Sequence, residues 1–391
     1  MSSAETAAAA PIALPPYETV ALVLQGGGAL GSYQAGVYQG LHEAGIRPNW
    51  FAGVSIGALN AAILGGNPPE KRLERLHDFW DTICQSALVP ALPVVGNLAA
   101  LLGQGDIRGW ASAWSAARTM TEGQRGFFTP RLPPPFLSPF SGPAATSFYD
   151  TAPLKETLER LVDFDRINSR ELRVSVGAVD VETGNFEYFD NANRVLKPEH
   201  FMASGALPPG FPAVEIDGRF YWDGGLVSNT PLMEVLSHPP RRDTLAFQVD
   251  LWSATGPLPK TLLDVSERQK DIQFSSRTRL VTSVAGEMQR LRNALRQVIE
   301  KLPEALQQDA EIGQLRDLSC SKVYNIVHLI YRDKQFESHN KDYEFSPLTM
   351  QEHWAEGLDD IRRTLQHPEW LARPTRSKSV VTHDVHREDA V

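Results

Sequence analysis

Two glycine-rich turns, Gly26-Gly27-Gly28-Ala29-Leu30-Gly31 and Gly53-Val54-Ser55-Ile56-Gly57, each stand between an apolar run and a helix-forming segment. The second is the more restrictive. Trp50 to Val54 reads as a short strand and Ile56 to Leu64 as a small-residue helix, so Ser55 falls on the bend between them. Gly53 and Gly57 remove the side chains that would clash as the chain reverses, and the hydroxyl points outward from the elbow. It also lies at the positive end of a helix, where backbone N–H groups favour the negative charge that develops during nucleophilic attack. By itself the pattern is weak, because GxSxG arises by chance in a chain with 29 glycines.

The first turn follows the aliphatic run Val20 to Leu24 and precedes a helical segment, Ser32 to Ala44. Strand, glycine loop and helix form an anion-binding arrangement, in which consecutive bare amides make a nest for a phosphate or an oxyanion. Gly26, Gly28 and Gly31 also satisfy GxGxxG, the dinucleotide fingerprint. That reading needs an acidic residue about 20 positions on, where this chain has Asn49, Trp50 and Phe51. A third element, Phe220-Tyr221-Trp222-Asp223-Gly224-Gly225, is an aromatic strand ending in a carboxylate and two glycines. Asp223 is a candidate base for Ser55, since a serine hydroxyl hardly ionises at neutral pH and a desolvated aspartate gains basicity. Asp-Gly-Gly alone also reads as a simple turn.

In this order the three motifs resemble the patatin-like phospholipase family, whose members join a glycine-rich oxyanion loop, a GxSxG serine and an Asp-Gly-Gly or Asp-Gly-Ala motif into a Ser-Asp dyad. The likeness extends to Ala203-Ser204-Gly205-Ala206-Leu207-Pro208-Pro209-Gly210-Phe211-Pro212 and to the turn from Asp180 to Gly184, and covers roughly residues 18–250. The resemblance implies Ser55 as nucleophile, Asp223 as base and the amides of Gly26, Gly27 and Gly28 as oxyanion donors. It also implies hydrolysis of carboxylic esters of phospholipids or related lipids, with no metal or organic cofactor. Many relatives carry Arg or Lys where this chain has Leu30. The fold expected is a three-layer α/β/α sandwich around a mainly parallel sheet, with a mostly helical C-terminal region.

Two other readings stay open. An α/β-hydrolase esterase would use a histidine as proton shuttle. His328 lies within the apolar run Val323 to Ile330, and His238, His339, His353 and His367 sit among polar or proline-flanked residues, none within a motif. A non-catalytic lipid-binding protein would keep the pocket without the chemistry.

The 391 residues bound one large core plus an added region, and the formal charge of -9 argues against a general nucleic-acid binder. Only Cys84 and Cys320 are present, so no disulfide framework is implied and a reducing, cytoplasmic setting is expected, with peripheral membrane contact left open. Residues 1–17 read as a disordered tail, 18–250 as the hydrolase domain, 251–372 as a C-terminal extension and 373–391 as a second disordered tail. Within the hydrolase domain, 86–143 reads as a lid or insertion. Its apolar stretch Ala87 to Leu102 is broken by Pro90, Pro93, Gly96 and Asn97, and with Trp110, Trp114, Phe127, Phe128 and Phe136 it reads as a lid, a pocket wall, a segment dipping into a membrane interface or a buried hairpin. In the extension, Val281, Val284, Met288, Leu291, Leu295, Val298 and Leu302 alternate spacings of three and four. Such a stripe packs on its own domain or forms a helix seam between protomers. The same segment carries eight Lys or Arg against three acids from Arg268 to Lys301, a solvated face or an attraction for anionic head groups.

Overall fold

The computed structural model describes residues 12–84, 119–137, 143–332 and 341–385. The apolar stretch Ala87 to Leu102, with Trp110 and Trp114, lies outside these. Both glycine turns close a strand and open a helix, as expected: β1 (Thr19–Leu24) leads through a short 3-10 turn into α1 (Ser32–Glu43), and β2 (Trp50–Val54) leads into α2 (Ile56–Gly65). After α3 (Arg72–Ile83), a two-stranded ladder of β3 (Thr129–Pro130) and β4 (Tyr149–Asp150) precedes α4 (Ala152–Leu161). The chain then builds β5 (Arg173–Asp180), β6 (Phe186–Asp190), α5 (Pro198–Ser204), β7 (Val214–Ile216), β8 (Arg219–Asp223), α6 (Leu232–Ser237) and β9 (Thr244–Asp250). The C-terminal region comprises α7 (Leu262–Glu300), α8 (Ala310–Leu318), β10 (Tyr324–Ile330), α9 (Pro347–Leu365) and β11 (Val380–Asp384), with short turns between.

One sheet takes the order β11-β10-β9-β1-β2-β5-β8-β7, with β6 also on β5. The six strands from β11 to β5 are parallel, β6 and β8 pair antiparallel with β5, and β7 pairs antiparallel with β8. Alternation along β1 separates two cores: Val20, Leu22 and Leu24 face a layer that includes α1, α2 and α3, whereas Ala21 and Val23 face Leu232 and Leu236 of α6 and Ala285 of α7. The result is the three-layer sandwich. From β1 the chain moves outward one way through β2 and β5, and from β9 the other way through β10 and β11, so the loops after β1 and β9 meet where the order reverses. Ligands of open α/β sheets bind at that crevice. No helix among the described residues is long and apolar enough to cross a membrane.

The C-terminal region is built into this body. β10 and β11 continue the parallel sheet from β9, and α9 lies directly on α1. A Cβ at Gly36 would strike the Trp354 carbonyl, and one at Gly357 the Tyr33 carbonyl, so two glycines bring the helix backbones into contact. Tyr33 donates to Asp360 across the seam at 2.7 Å. Gly36→Leu is therefore expected to force the helices apart and cost about 3 kcal/mol or more, read as a lower urea midpoint.

Described parts of both segments read as disordered tails are structured. Ile12, Leu14 and Tyr17 pack against the core, with the Ile12 amide donating to Ala44 and the Tyr17 hydroxyl to Leu371. Residues 380–384, read as part of a disordered tail, form edge strand β11 in register with β10. Polar anchors replace the missing apolar signal: Asn325 donates to the Trp370 and Ala372 carbonyls, Asn293 to Ser379, and Arg373 pairs with Asp243.

Candidate active site

Register assembles the site. β2 pairs with β5 up to Val54 opposite Gly177, and antiparallel β8 pairs with β5 from Tyr221 opposite Asp180 to Asp223 opposite Ala178. β6 occupies the other edge of β5 over the same residues. Hence β2 and β8 meet end to end along one edge, and the residue after β2, Ser55, comes against the last residue of β8, Asp223. Gly224 permits the junction, since a Cβ there would press on the Gly177 carbonyl and Val54.

Ser55 occupies the elbow at φ 55°, ψ -126°, outside the regions an L-residue prefers. The turn holds this conformation from both sides. A Cβ at Gly53 would strike the Gly57 carbonyl, and one at Gly57 the Leu24 carbonyl. The Ser55 amide donates to Ser204 Oγ at 3.0 Å, and Ser204 in turn donates to the Gly177 carbonyl at 2.6 Å. Ser204 lies in the Ala203–Pro212 segment that carries part of the family likeness, though the sequence offered no reason to assign it this bracing role.

Ser55 Oγ donates to Asp223 Oδ2 at 2.6 Å, and the Gly225 amide donates to Oδ1 at 2.7 Å. Asp223 is 2% exposed. Burial pushes its pKa up to about 7 against the opposing pull of those two hydrogen bonds.

The glycine loop lies beside the elbow because Leu24 pairs with Gly53. Its carbonyl at Gly26 is held by Asn229 Nδ2 and Trp252 Nε1, both at 2.9 Å, and Gln25 Oε1 receives the amides of Leu251 and Trp252 at 2.6 and 3.1 Å. Of the three expected donors, Gly26 has its amide committed to the Asn229 carbonyl at 3.2 Å. Gly27 and Gly28 donate to no protein acceptor among the described residues. Gly28 sits at φ +56°, with the Asp342 carbonyl where a Cβ would go.

One pocket contains Ser55, Asp223 and the loop from Gly26 to Gly28, walled by Leu59, Phe127, Phe128, Phe211, Phe274 and Phe345. Phe127 and Phe128, expected in a lid or wall, line it. Asp342 and Tyr343 line it as well, and nothing in the sequence marked them. Ion pairs strap them to α7: Lys341, itself buried, lies 3.0 Å from Asp271, and Lys270 lies 3.0 Å from Asp342. No histidine lines the pocket among the described residues. His328 instead pairs with Asp250 at 2.5 Å, between neighbouring strands.

The sequence model described as patatin phospholipase, of the type DUF3734, matches residues 272–377. No curated protein matches the chain. The crystal structure of VipD from Legionella pneumophila is similar at 14% identity and a TM-score of 0.39, over 96% of this chain and 73% of that one. The model of the patatin-like phospholipase family matches residues 22–236, more than half of the chain, and with that span containing the glycine loop, the serine elbow and the Asp-Gly-Gly motif, the protein belongs to this family of lipid acyl hydrolases.

Proposed function

We propose that the protein hydrolyses carboxylic esters of phospholipids or related lipids through an acyl-enzyme on Ser55, with Asp223 as its base. The observation that carries this reading is the 2.6 Å hydrogen bond from the serine to a buried carboxylate within a phenylalanine-walled pocket. A carboxylate with a pKa near 7 accepts and returns a proton at working pH, which is what general acid–base catalysis needs. Asp223 takes the Ser55 proton as Oγ attacks the ester carbonyl, and the amides of Gly27 and Gly28 receive the charge on the carbonyl oxygen. The departing alcohol leaves with the proton held on Asp223. Water then gives a proton to the same carboxylate and attacks the acyl-enzyme, and Asp223 returns that proton to Ser55 Oγ as the acid leaves.

The phenylalanine wall suits an acyl chain, and burying each methylene of it contributes about 0.8 kcal/mol. A fluorophosphonate probe is expected to label the wild-type protein and not Ser55→Ala. An unlabelled wild type would leave the lipid-binding reading standing, and a histidine variant as inactive as Asp223→Asn would favour the α/β-hydrolase mechanism. Gly28→Ala tests the loop. It adds a Cβ at positive φ against the Asp342 carbonyl, so displacing an oxyanion donor is expected to lower kcat about 100- to 1000-fold with a smaller change in KM.

A further inference from the structure

The α7 helix is apolar on more than the face it buries, where Ala285 and Ile299 are buried and Val281 packs against the core. Its inward face includes the buried polar residues Asp271, Ser275, Gln289 and Asn293. Gln289 donates to the Lys322 carbonyl at 2.7 Å, and Asn293 donates to the same carbonyl at 3.3 Å and to Ser379 at 2.8 Å. Those bonds fix the rotation of the helix. The outward face therefore presents Leu280, Val284, Leu291 and Val298, each 43–65% exposed, with Met288 beside them. Cys320 donates its amide to the Arg292 carbonyl at 3.3 Å, which brings exposed Leu318 of α8 to the same stretch of helix. A contiguous apolar surface of this kind marks an interaction site.

Two features identify the occupant. First, the stripe runs away from the pocket. Phe274 lines the pocket at the carboxyl ends of the strands, whereas Asn293 reaches residues that precede β10 and β11. At 1.5 Å per residue, Leu291 lies about 25 Å along the helix from Phe274. A bilayer seated on the stripe would cover the flank of the body and leave the pocket mouth off its surface. Second, the stripe matches itself. Val284 and Val298 each stand seven residues from Leu291, so a copy laid antiparallel sets Val284 against Val298 and Leu291 against Leu291, an isologous contact about a two-fold axis. The three-four spacing is that of a helix–helix seam, and this stretch carries Glu287 and Glu300 together with Arg290, Arg292, Arg296 and Lys301. We infer that a second copy of this chain docks on the outward face of α7, with Leu291 at the two-fold axis.

Sedimentation velocity of the full chain at about 20 µM decides the matter, since protomer concentration sets the dimer population. The wild type is expected at twice the 43.3 kDa of one chain, and the double variant L291E/V298E at the mass of a single chain with an unchanged circular dichroism spectrum. Leu348→Glu, an equally exposed site on α9, is expected to leave the dimer intact. A monomeric wild type overturns the inference, as does a dimer indifferent to L291E/V298E. So does a wild-type monomer that floats with phosphatidylcholine–phosphatidylglycerol vesicles and loses that binding in the double variant. Leu291→Cys provides a readout independent of folding defects: the two native cysteines are buried, so mild oxidation should give one covalent dimer, and a dimer that never cross-links there refutes the two-fold position of Leu291.

Discussion

Ser55→Ala is expected to reduce ester hydrolysis by at least about 10,000-fold, because no other nucleophile remains to form the acyl-enzyme. Substrate binding should change little, since the phenylalanine wall and the glycine loop are untouched. The substitution leaves the backbone strain in place, because alanine is no more comfortable than serine at φ 55°, ψ -126°. Ser55→Gly, equally inactive, removes the Cβ from that conformation and is expected to be about 1 kcal/mol or more stabler than Ser55→Ala. Urea unfolding of the two inactive variants measures the difference. Equal midpoints would mean that the elbow stores no strain for function, and residual turnover by both variants would mean that Ser55 is not the nucleophile.

The parts of the site that chemistry restricts to a few residue types were legible in the sequence. An elbow this tight tolerates only glycine at positions 53 and 57, and a bare-amide nest admits no side chain at Gly27 or Gly28, so these positions stand out without neighbours to interpret them. Asp223 was legible for its chemistry, and the strand register that delivers it to Ser55 became visible only with β2 and β8 on one edge of β5. The Gly26 amide shows the limit of motif reading: the motif offers three donors, and the fold commits one of them to Asn229.

What the sequence concealed depends on contacts between distant residues. Lys341 and Asp342 read as ordinary charged residues, yet their partners Asp271 and Lys270 lie about 70 positions earlier and hold them over the glycine loop. β11 was missed because its backbone bonds to β10 need no apolar signature. The period of the α7 stripe was readable, but its direction was not: Val281 packs on the core while Val284, Met288, Leu291 and Val298 are exposed, and Gln289 and Asn293 hold the helix to the body by hydrogen bonds. Each miss is a case of polar groups satisfied at long range in place of apolar burial.

Asp223→Asn is expected to lower kcat about 100- to 10,000-fold and at the same time to stabilise the fold above neutral pH. The carboxyl has a folded-state pKa of about 7, against about 3.9 in an unfolded chain. Between those values the native state keeps a proton that the unfolded chain has lost, so this residue's contribution to stability falls as pH rises through the window. At about 1.4 kcal/mol per pKa unit, the buried charge costs up to about 4 kcal/mol by pH 8. The amide carries no charge, can still accept from Gly225, and escapes that cost. The variant should therefore match the wild type near pH 4 and exceed it progressively toward pH 8 in urea unfolding, while the wild-type kcat climbs with pH through about 7 and levels off as the base form fills. A stability difference independent of pH would show that the carboxylate is not desolvated. Retained activity in the amide variant would remove Asp223 from the reaction, and a site that keeps a costly buried charge would then need another explanation.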